Sequence, residues 1–269
     1  MSYQSPEALR EIQALVIDMD GVLWRGDEPL PGLVEFFELL RGWPIAFRMA
    51  TNNASKSPHQ YVDKLASMGV RVSPDEILTS AVVTAQHIAA VAPGASVYAI
   101  GDGTRQAMLD YGLRLSDGQQ ADFVAVGWDP KITYKELSEA TLLIHAGARF
   151  IGTNPDRTLP TERGLLPGNG AILACLQAAT GVEPFIIGKP EPAMFEAALT
   201  VMGADPAHTA VLGDRLETDI SGGQNAGLRT IFVLSGANGQ ADLAASPVKP
   251  DWVFRDIQEL TQIWSALQR

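Results

Sequence analysis

The chain is expected to adopt an α/β fold with a largely parallel sheet and a smaller α/β domain inserted into it. Strand-like apolar runs and helix-like segments alternate from end to end, several of those runs stop at loops rich in polar residues, and the alternation falls into two groups. The run Ala14-Leu15-Val16-Ile17 reads as a strand buried on both faces. A helix over 33–40, a strand over 45–50 and an amphipathic helix over 59–68 follow. A denser section comes next, with strands over 97–100, 123–126 and 150–152 and helices over 105–111 and 134–146. The last section returns to the opening style, with strands over 185–187, 210–212, 230–233 and 252–254 and helices over 193–202 and 257–267. No repeat, low-complexity tract or long Gly/Ser linker is present, so the second domain is expected to be an insertion: a core of 1–80 and 185–269, and an insert of 81–184.

Composition narrows the function classes. With 269 residues and 46% hydrophobic content the chain can bury a sizeable core. Its formal net charge of -11 repels nucleic acid and anionic membrane surfaces. No apolar stretch approaches the roughly 20 residues that span a bilayer, and the start lacks a basic region followed by an apolar one, so a cytoplasmic protein is expected. The single cysteine, Cys175, excludes an internal disulfide and is expected to pack in the apolar run 171–176.

The first strand breaks off at Asp18-Met19-Asp20-Gly21. In an open α/β sheet the carboxyl ends of the strands form the ligand crevice, so two carboxylates are delivered into a candidate active site. Residues two apart on an extended chain point to the same side, so Asp18 and Asp20 can address one ligand. Like charges that close need a cation, a lysine or a bound proton, and a hard metal such as Mg2+ favours oxygen ligands. The competing reading is an acidic turn capped by Gly21.

Three further strand ends carry compatible chemistry. Thr51-Asn52-Asn53 offers a hydroxyl and backbone N–H groups for phosphate oxygens, or local turn hydrogen bonds. Gly188-Lys189-Pro190 offers an ammonium able to offset a carboxylate and a phosphoryl group together, or a solvated surface charge. In Gly213-Asp214-Arg215-Leu216-Glu217-Thr218-Asp219, Asp214 can ligate a metal while Asp219 holds a metal-bound water or braces Lys189; a turn and a helix cap are the alternatives.

Taken in order, DMDG, TNN, GKP and GDRLETD resemble the four motifs of the haloacid dehalogenase superfamily of phosphohydrolases. The segments Val97-Tyr98-Ala99-Ile100-Gly101-Asp102-Gly103, Val126-Gly127-Trp128-Asp129 and Thr153-Asn154-Pro155-Asp156 resemble the subclass with an α/β cap between the second and third motifs, which includes the NagD-type and p-nitrophenylphosphatase-type enzymes. The resemblance runs from Ala14 to the C-terminal helix with every motif position present. It implies a Rossmann-like, doubly wound core carrying a cap. It also implies Mg2+-dependent hydrolysis of a small phosphorylated metabolite, with Asp18 as the nucleophile that becomes an aspartyl phosphate and Asp20 as acid and base. Mg2+ would be held by the Asp18 carboxylate, the Asp20 backbone carbonyl and the Asp214 carboxylate, with Asp219 in support. Gly21, Thr51, Asn52, Asn53 and Lys189 would surround the phosphoryl group. Asn154, Asp156 and Arg157 are the cap's candidate substrate contacts, with a turn role for Asn154-Pro155-Asp156 in competition. Dehalogenases of the superfamily lack the second acid, so Asp20 favours phosphate chemistry. Caps of this kind can also pair two copies into a homodimer.

Other readings stay open or weaken. A phosphotransferase or mutase on the same scaffold would pass the phosphoryl group to a sugar instead of water. A dinucleotide-binding module is suggested by Gly101-Asp102-Gly103, but Gln106 stands where the fingerprint wants a third glycine. A P-loop is disfavoured because Pro190 follows Gly188-Lys189. His59, His87, His145 and His208 show no metal-site spacing, and Trp24 and Trp128 read as packing residues beside the crevice.

Overall fold

The structure, a computed structural model, describes residues 3–161 and 163–267. The chain divides into two compact units. The first comprises Met1–Thr51, Pro58–Leu78 and Lys189–Arg269, and the second Asn52–Ser57 and Thr79–Gly188.

The strands in chain order begin with β1 (Ala14–Ile17), the short hairpin β2 (Trp24–Arg25) and β3 (Glu28–Pro29), β4 (Ala46–Thr51) and β5 (Ile77–Thr79). Then come β6 (Ser96–Ile100), β7 (Arg114–Leu115), β8 (Phe123–Val126), β9 (Arg149–Gly152), β10 (Thr158–Thr161), β11 (Gly164–Pro167) and β12 (Phe185–Ile186). The last are β13 (Thr209–Gly213), β14 (Arg229–Val233) and β15 (Trp252–Phe254).

In the first unit a six-stranded sheet runs in the order β15-β14-β13-β1-β4-β5. β1 pairs in parallel with both β13 and β4. All four residues of β1 are buried, as an apolar strand covered on both faces must be. Helix Leu33–Gly42 shows how the cover is made: Leu33, Phe36, Phe37 and Leu40 fall on one stripe at helical spacing and are buried in the same core as Leu15, Ile17 and Trp264. Helix Ile257–Ala266 is started by Asp256, whose carboxylate accepts the Glu259 N–H at 2.9 Å. From β1 the chain builds outward through β4 and β5, then returns to build β13, β14 and β15 on the other side. The reversal falls between β1 and β13, and in doubly wound sheets ligands bind at that point, beyond the carboxyl ends of the strands.

The second unit has its own parallel sheet in the order β12-β9-β8-β6-β7, an antiparallel hairpin β10–β11 and a separate apolar core that includes Ile100, Val124, Val126, Phe150, Leu173 and Leu176. Its limits differ from those expected. Phe185–Ile186 was expected to open the returning core, yet it pairs with Ile151 and Gly152 of β9, so the unit ends at Gly188 rather than 184. A two-residue edge strand with Phe185 half exposed carries the same apolar signature as a core strand, and periodicity does not distinguish them. At the other boundary the unit begins at Thr79 and also takes in Asn52–Ser57. Cys175 corrects a second expectation. It is exposed, because helix Asn169–Thr180 buries Leu173 and Leu176 and turns position 175 outward.

Candidate active site

The sheet register assembles the site in the first unit. Ile17 pairs with Leu212 on one side and Met49 on the other, so Asp18, one residue on, lies level with the ends of β13 and β4, from which Asp214 and Thr51 emerge. The Asp18 N–H continues the ladder to the Leu212 carbonyl at 2.8 Å. Lys189 Nζ lies 2.5 Å from Asp18 Oδ1 and 2.7 Å from Asp219 Oδ1, and donates to the Ala50 carbonyl at 3.0 Å. Carboxylate oxygens of Asp18, Asp214 and Asp219 lie within 4.8 Å of one another. Lys189, Asp214 and Asp219 are each at most 2% exposed. Lys189 is therefore no surface lysine, and Asp219 is no N-cap but lies within the helical turn Leu216–Ile220. Its Oδ1 pairs with the lysine, while its Oδ2 accepts the Arg215 N–H at 3.1 Å.

So many buried charges perturb one another. Burial pushes the Asp18 carboxyl well above its ordinary range, the Asp219 and Asp214 charges push the same way, and Lys189 opposes them. Burial, then the Asp219 charge, lifts Asp214 to about 6. Burial alone would lower Lys189, but Asp18 and Asp219 together outweigh it and hold the ammonium above the ordinary lysine value. Three carboxylates thus face one ammonium, and the two negative charges left over are those a divalent cation would neutralise. Asp214 Oδ1 is buried with no hydrogen-bond partner among the described residues, an orphaned hard-oxygen donor of the kind such a cation takes. The residues present fit a metal.

A further loop that builds the site escaped the sequence reading. Ser235-Gly236-Ala237-Asn238 follows β14 much as the other site loops follow their strands, and that position was the signal available. The Ala237 N–H donates to Asp214 Oδ2 at 2.5 Å, and Asn238 Oδ1 accepts the Leu216 N–H at 2.9 Å. The Ser235 hydroxyl donates to the Gly21 carbonyl at 2.7 Å, and its own carbonyl accepts from Arg25 Nε at 2.7 Å. Glycine is required at two places: a Cβ on Gly236 would stand 1.8 Å from Asp214 Oδ2, and one on Gly21, whose φ is +87°, 2.3 Å from it. Asp20 stands apart from the carboxylate cluster. It is exposed, and its Oδ1 accepts the Trp24 indole N–H at 2.7 Å.

The remaining expected residues lie in the second unit. Asn52 Nδ2 reaches both Asp156 carboxylate oxygens, at 3.3 and 3.4 Å. Asn154 Nδ2 donates to the Asn52 carbonyl at 2.7 Å, and its Oδ1 accepts the Asp156 N–H at 3.1 Å. Asn53 Oδ1 accepts both the N–H and the hydroxyl of Ser55. The turn reading thus describes the Asn53 and Asn154 side chains, and Arg157 is exposed. Gly103 answers the dinucleotide reading, since a Cβ there would meet the Ala54 carbonyl at 2.0 Å. That glycine admits a backbone crossing, with no pyrophosphate needed to explain it.

Known proteins resemble this chain in sequence and fold. A haloacid dehalogenase-like hydrolase family model matches residues 15–114, and a second hydrolase-like model of the same superfamily matches 186–260. An acid sugar phosphatase of Staphylococcus epidermidis is 40% identical over 250 residues, covering 93% of this chain and 96% of that protein. Among solved structures, a 4-nitrophenylphosphatase from Thermotoga maritima superposes with a TM-score of 0.91 at 36% identity, covering 95% of this chain and 98% of that one. A p-nitrophenyl phosphatase from Archaeoglobus fulgidus gives 0.90 at 32%, covering 93% and 98%. The chain therefore belongs to the haloacid dehalogenase-like hydrolases, in the branch of NagD-type and p-nitrophenylphosphatase-type enzymes, and is a phosphoric monoester hydrolase.

Proposed function

We propose that this chain hydrolyses a small phosphate monoester with Asp18 as nucleophile, Asp20 as acid and base, and Mg2+ as the cation held by Asp18, Asp214 and the Asp20 backbone carbonyl. The observation that carries the reading is the cluster of part-buried Asp18 with buried Asp214, Asp219 and Lys189 at the switch point of the sheet. Oxygen-only donors and two uncompensated charges suit a hard divalent ion. When bound, Mg2+ supplies charge neutralisation for the phosphoryl group and for the carboxylates around it.

The chain's own residues do the rest. An Asp18 carboxylate oxygen attacks phosphorus, the bond to the leaving oxygen breaks, and Asp20 gives that oxygen a proton. Asp20 then takes a proton from the water that attacks the aspartyl phosphate, so inorganic phosphate leaves and Asp18 is restored. Lys189, held as an ammonium by Asp18 and Asp219, sets positive charge beside the transferring group. Thr51 and, next along the chain, the backbone N–H groups of Asn52 and Asn53 bind phosphoryl oxygens, with Gly21 leaving room beside Asp214. Asp219 braces Lys189 from behind.

We assign leaving-group selection to the second unit, with Asp156 and Arg157 as its contacts and Asn154 as the side chain that shapes their loop. The 40% identical relatives make sugar phosphates the first metabolites to assay. We also infer a cytoplasmic location; no helix among the described residues is long and apolar enough to cross a membrane. The test is phosphate release from p-nitrophenyl phosphate with Mg2+ and with a chelator. Release that the chelator abolishes and Mg2+ restores is expected; release unchanged by chelation would overturn the metal assignment.

A further inference from the structure

The four residues after Asp20 form an unusually closed unit. The Trp24 carbonyl accepts the Gly21 N–H at 2.8 Å, and the Leu23 N–H bonds back to the Met19 carbonyl at 2.8 Å. This turn brings the Trp24 indole N–H to 2.7 Å from Asp20 Oδ1. The two partners differ in environment, Asp20 being exposed and Trp24 fully buried.

The indole is held from two further sides. Its ring stacks on Tyr61, with centroids 6.2 Å apart and planes 20° apart, and Lys64 Nζ lies 4.5 Å from the ring centroid. Lys64 is itself tied to the same hairpin, donating to the Gly26 carbonyl at 2.6 Å. An exposed carboxylate would otherwise sample several rotamers, whereas a donor locked in the core selects one of them.

We propose that Trp24 is a positioning residue for proton transfer: its indole N–H anchors Asp20 Oδ1, so that Oδ2 is the oxygen that exchanges the proton with the leaving group and then with water. This rests on the assignment of Asp20 as acid and base. An N–H can only donate, so Oδ1 stays an acceptor throughout the cycle and the proton is confined to the other oxygen. In the first step the ester P–O bond breaks, the Asp18 O–P bond forms, and the proton on Oδ2 moves to the departing oxygen. In the second, Oδ2 recovers a proton from the attacking water. The fold keeps a proton donor in register with a reaction centre by means of a side chain that reads, from sequence, as plain core.

The test compares Trp24→Phe, Asp20→Asn and the unaltered protein on two substrates, p-nitrophenyl phosphate and phenyl phosphate. The nitro group makes its phenolate a leaving group that departs without a proton, whereas phenolate benefits from one. For Trp24→Phe, kcat/KM for phenyl phosphate should fall about tenfold, the effect of one hydrogen bond to a charged group, while that for p-nitrophenyl phosphate changes much less. The ratio of the two values within one preparation does not depend on how much of the variant is folded, so a purely structural role for the indole would leave it unmoved. Equal losses on both substrates, or no loss on either, would overturn the proposal. Asp20→Asn separates this from the assignment beneath it. If that variant discriminates between the substrates and Trp24→Phe does not, Asp20 stands and the role of Trp24 falls; if Asp20→Asn does not discriminate, the assignment of Asp20 falls as well.

Discussion

In the first unit, three carboxylates and one ammonium lie together, Asp18 part-buried and Asp214, Asp219 and Lys189 buried, and burial first, then the neighbouring negative charges, lifts the Asp18 and Asp214 carboxyl groups above their ordinary range. In the second unit, the buried polar side chains are neutral hydroxyls and amides, and the amides hydrogen bond to backbone: Asn169 Nδ2 donates to the carbonyls of Val126 and Asn154 at 3.1 and 2.9 Å, and Asn154 Nδ2 to that of Asn52 at 2.7 Å. The charged residues that meet there, Arg105 with Asp102, Asp129 and Glu136, range from part-buried to exposed. One cluster is left with unbalanced charge by its own residues, whereas the other is neutral, with Asn169 Oδ1 the oxygen it leaves without a hydrogen-bond partner among the described residues. A site built to take a cation and a phosphate has to leave charge unbalanced in this way, while a loop that must hold its shape needs only neutral hydrogen bonds.

Lys189→Met offers the largest effect by which this contrast can be broken. It leaves buried Asp219 and part-buried Asp18 without their cation and should cost about 3–5 kcal/mol of stability, read by chemical denaturation in the presence of chelator. A cost below about 1 kcal/mol would mean that the pair is screened as a surface pair is. Next in size, Asn169→Ala removes donors from buried carbonyls without leaving a charge behind, so about 1–3 kcal/mol is expected from the same measurement. A larger loss than that of Lys189→Met would reverse the comparison.

A third effect is a pH dependence. Asp214 titrates near 6 in the folded chain against an ordinary 3.8, so between those values the folded state binds more protons than the unfolded one. Its contribution to metal-free stability therefore falls as pH rises from about 4 to 6 and is flat above. The difference in melting temperature between the unaltered protein and Asp214→Asn, measured with chelator across that window, should shift in favour of Asp214→Asn as pH rises. With Mg2+ present the sense reverses, because the ion takes only the deprotonated carboxylate, and apparent Mg2+ affinity should weaken below about pH 6. A difference that does not vary with pH would remove Asp214 from the coupled cluster.

Much of this was legible before the structure. The alternation made Asp18, Thr51 and Asp214 legible, because each follows a strand of one sheet that stops at a polar loop, a local signal, whereas Lys189 follows the half-exposed edge strand β12 of the second unit and its ion pairs with Asp18 and Asp219 carry no such signal. The Ser235–Asn238 loop has the same position but only small and neutral residues, and its contact with Asp214 is made by the Ala237 backbone N–H, which no side-chain pattern reveals. Phe185–Ile186 changed units because partnership between strands is nonlocal. Cys175 faced outward because an apolar run hid a one-sided helix. Trp24 reads as packing and does pack in the core; that its indole nitrogen points at Asp20 depends on a tight turn at Gly21 rather than on residue type.

The most direct test of the central claim is mass spectrometry of Asp20→Asn protein quenched in acid after exposure to Mg2+ and p-nitrophenyl phosphate. With the acid and base removed, hydrolysis of the intermediate slows by about 10²–10⁴-fold, so the covalent form should accumulate. The account predicts one added phosphoryl group, located on Asp18 and absent when Asp18 is also replaced by Asn. A phosphoryl group on another residue, or continued turnover with Asp18 unmodified, would contradict it.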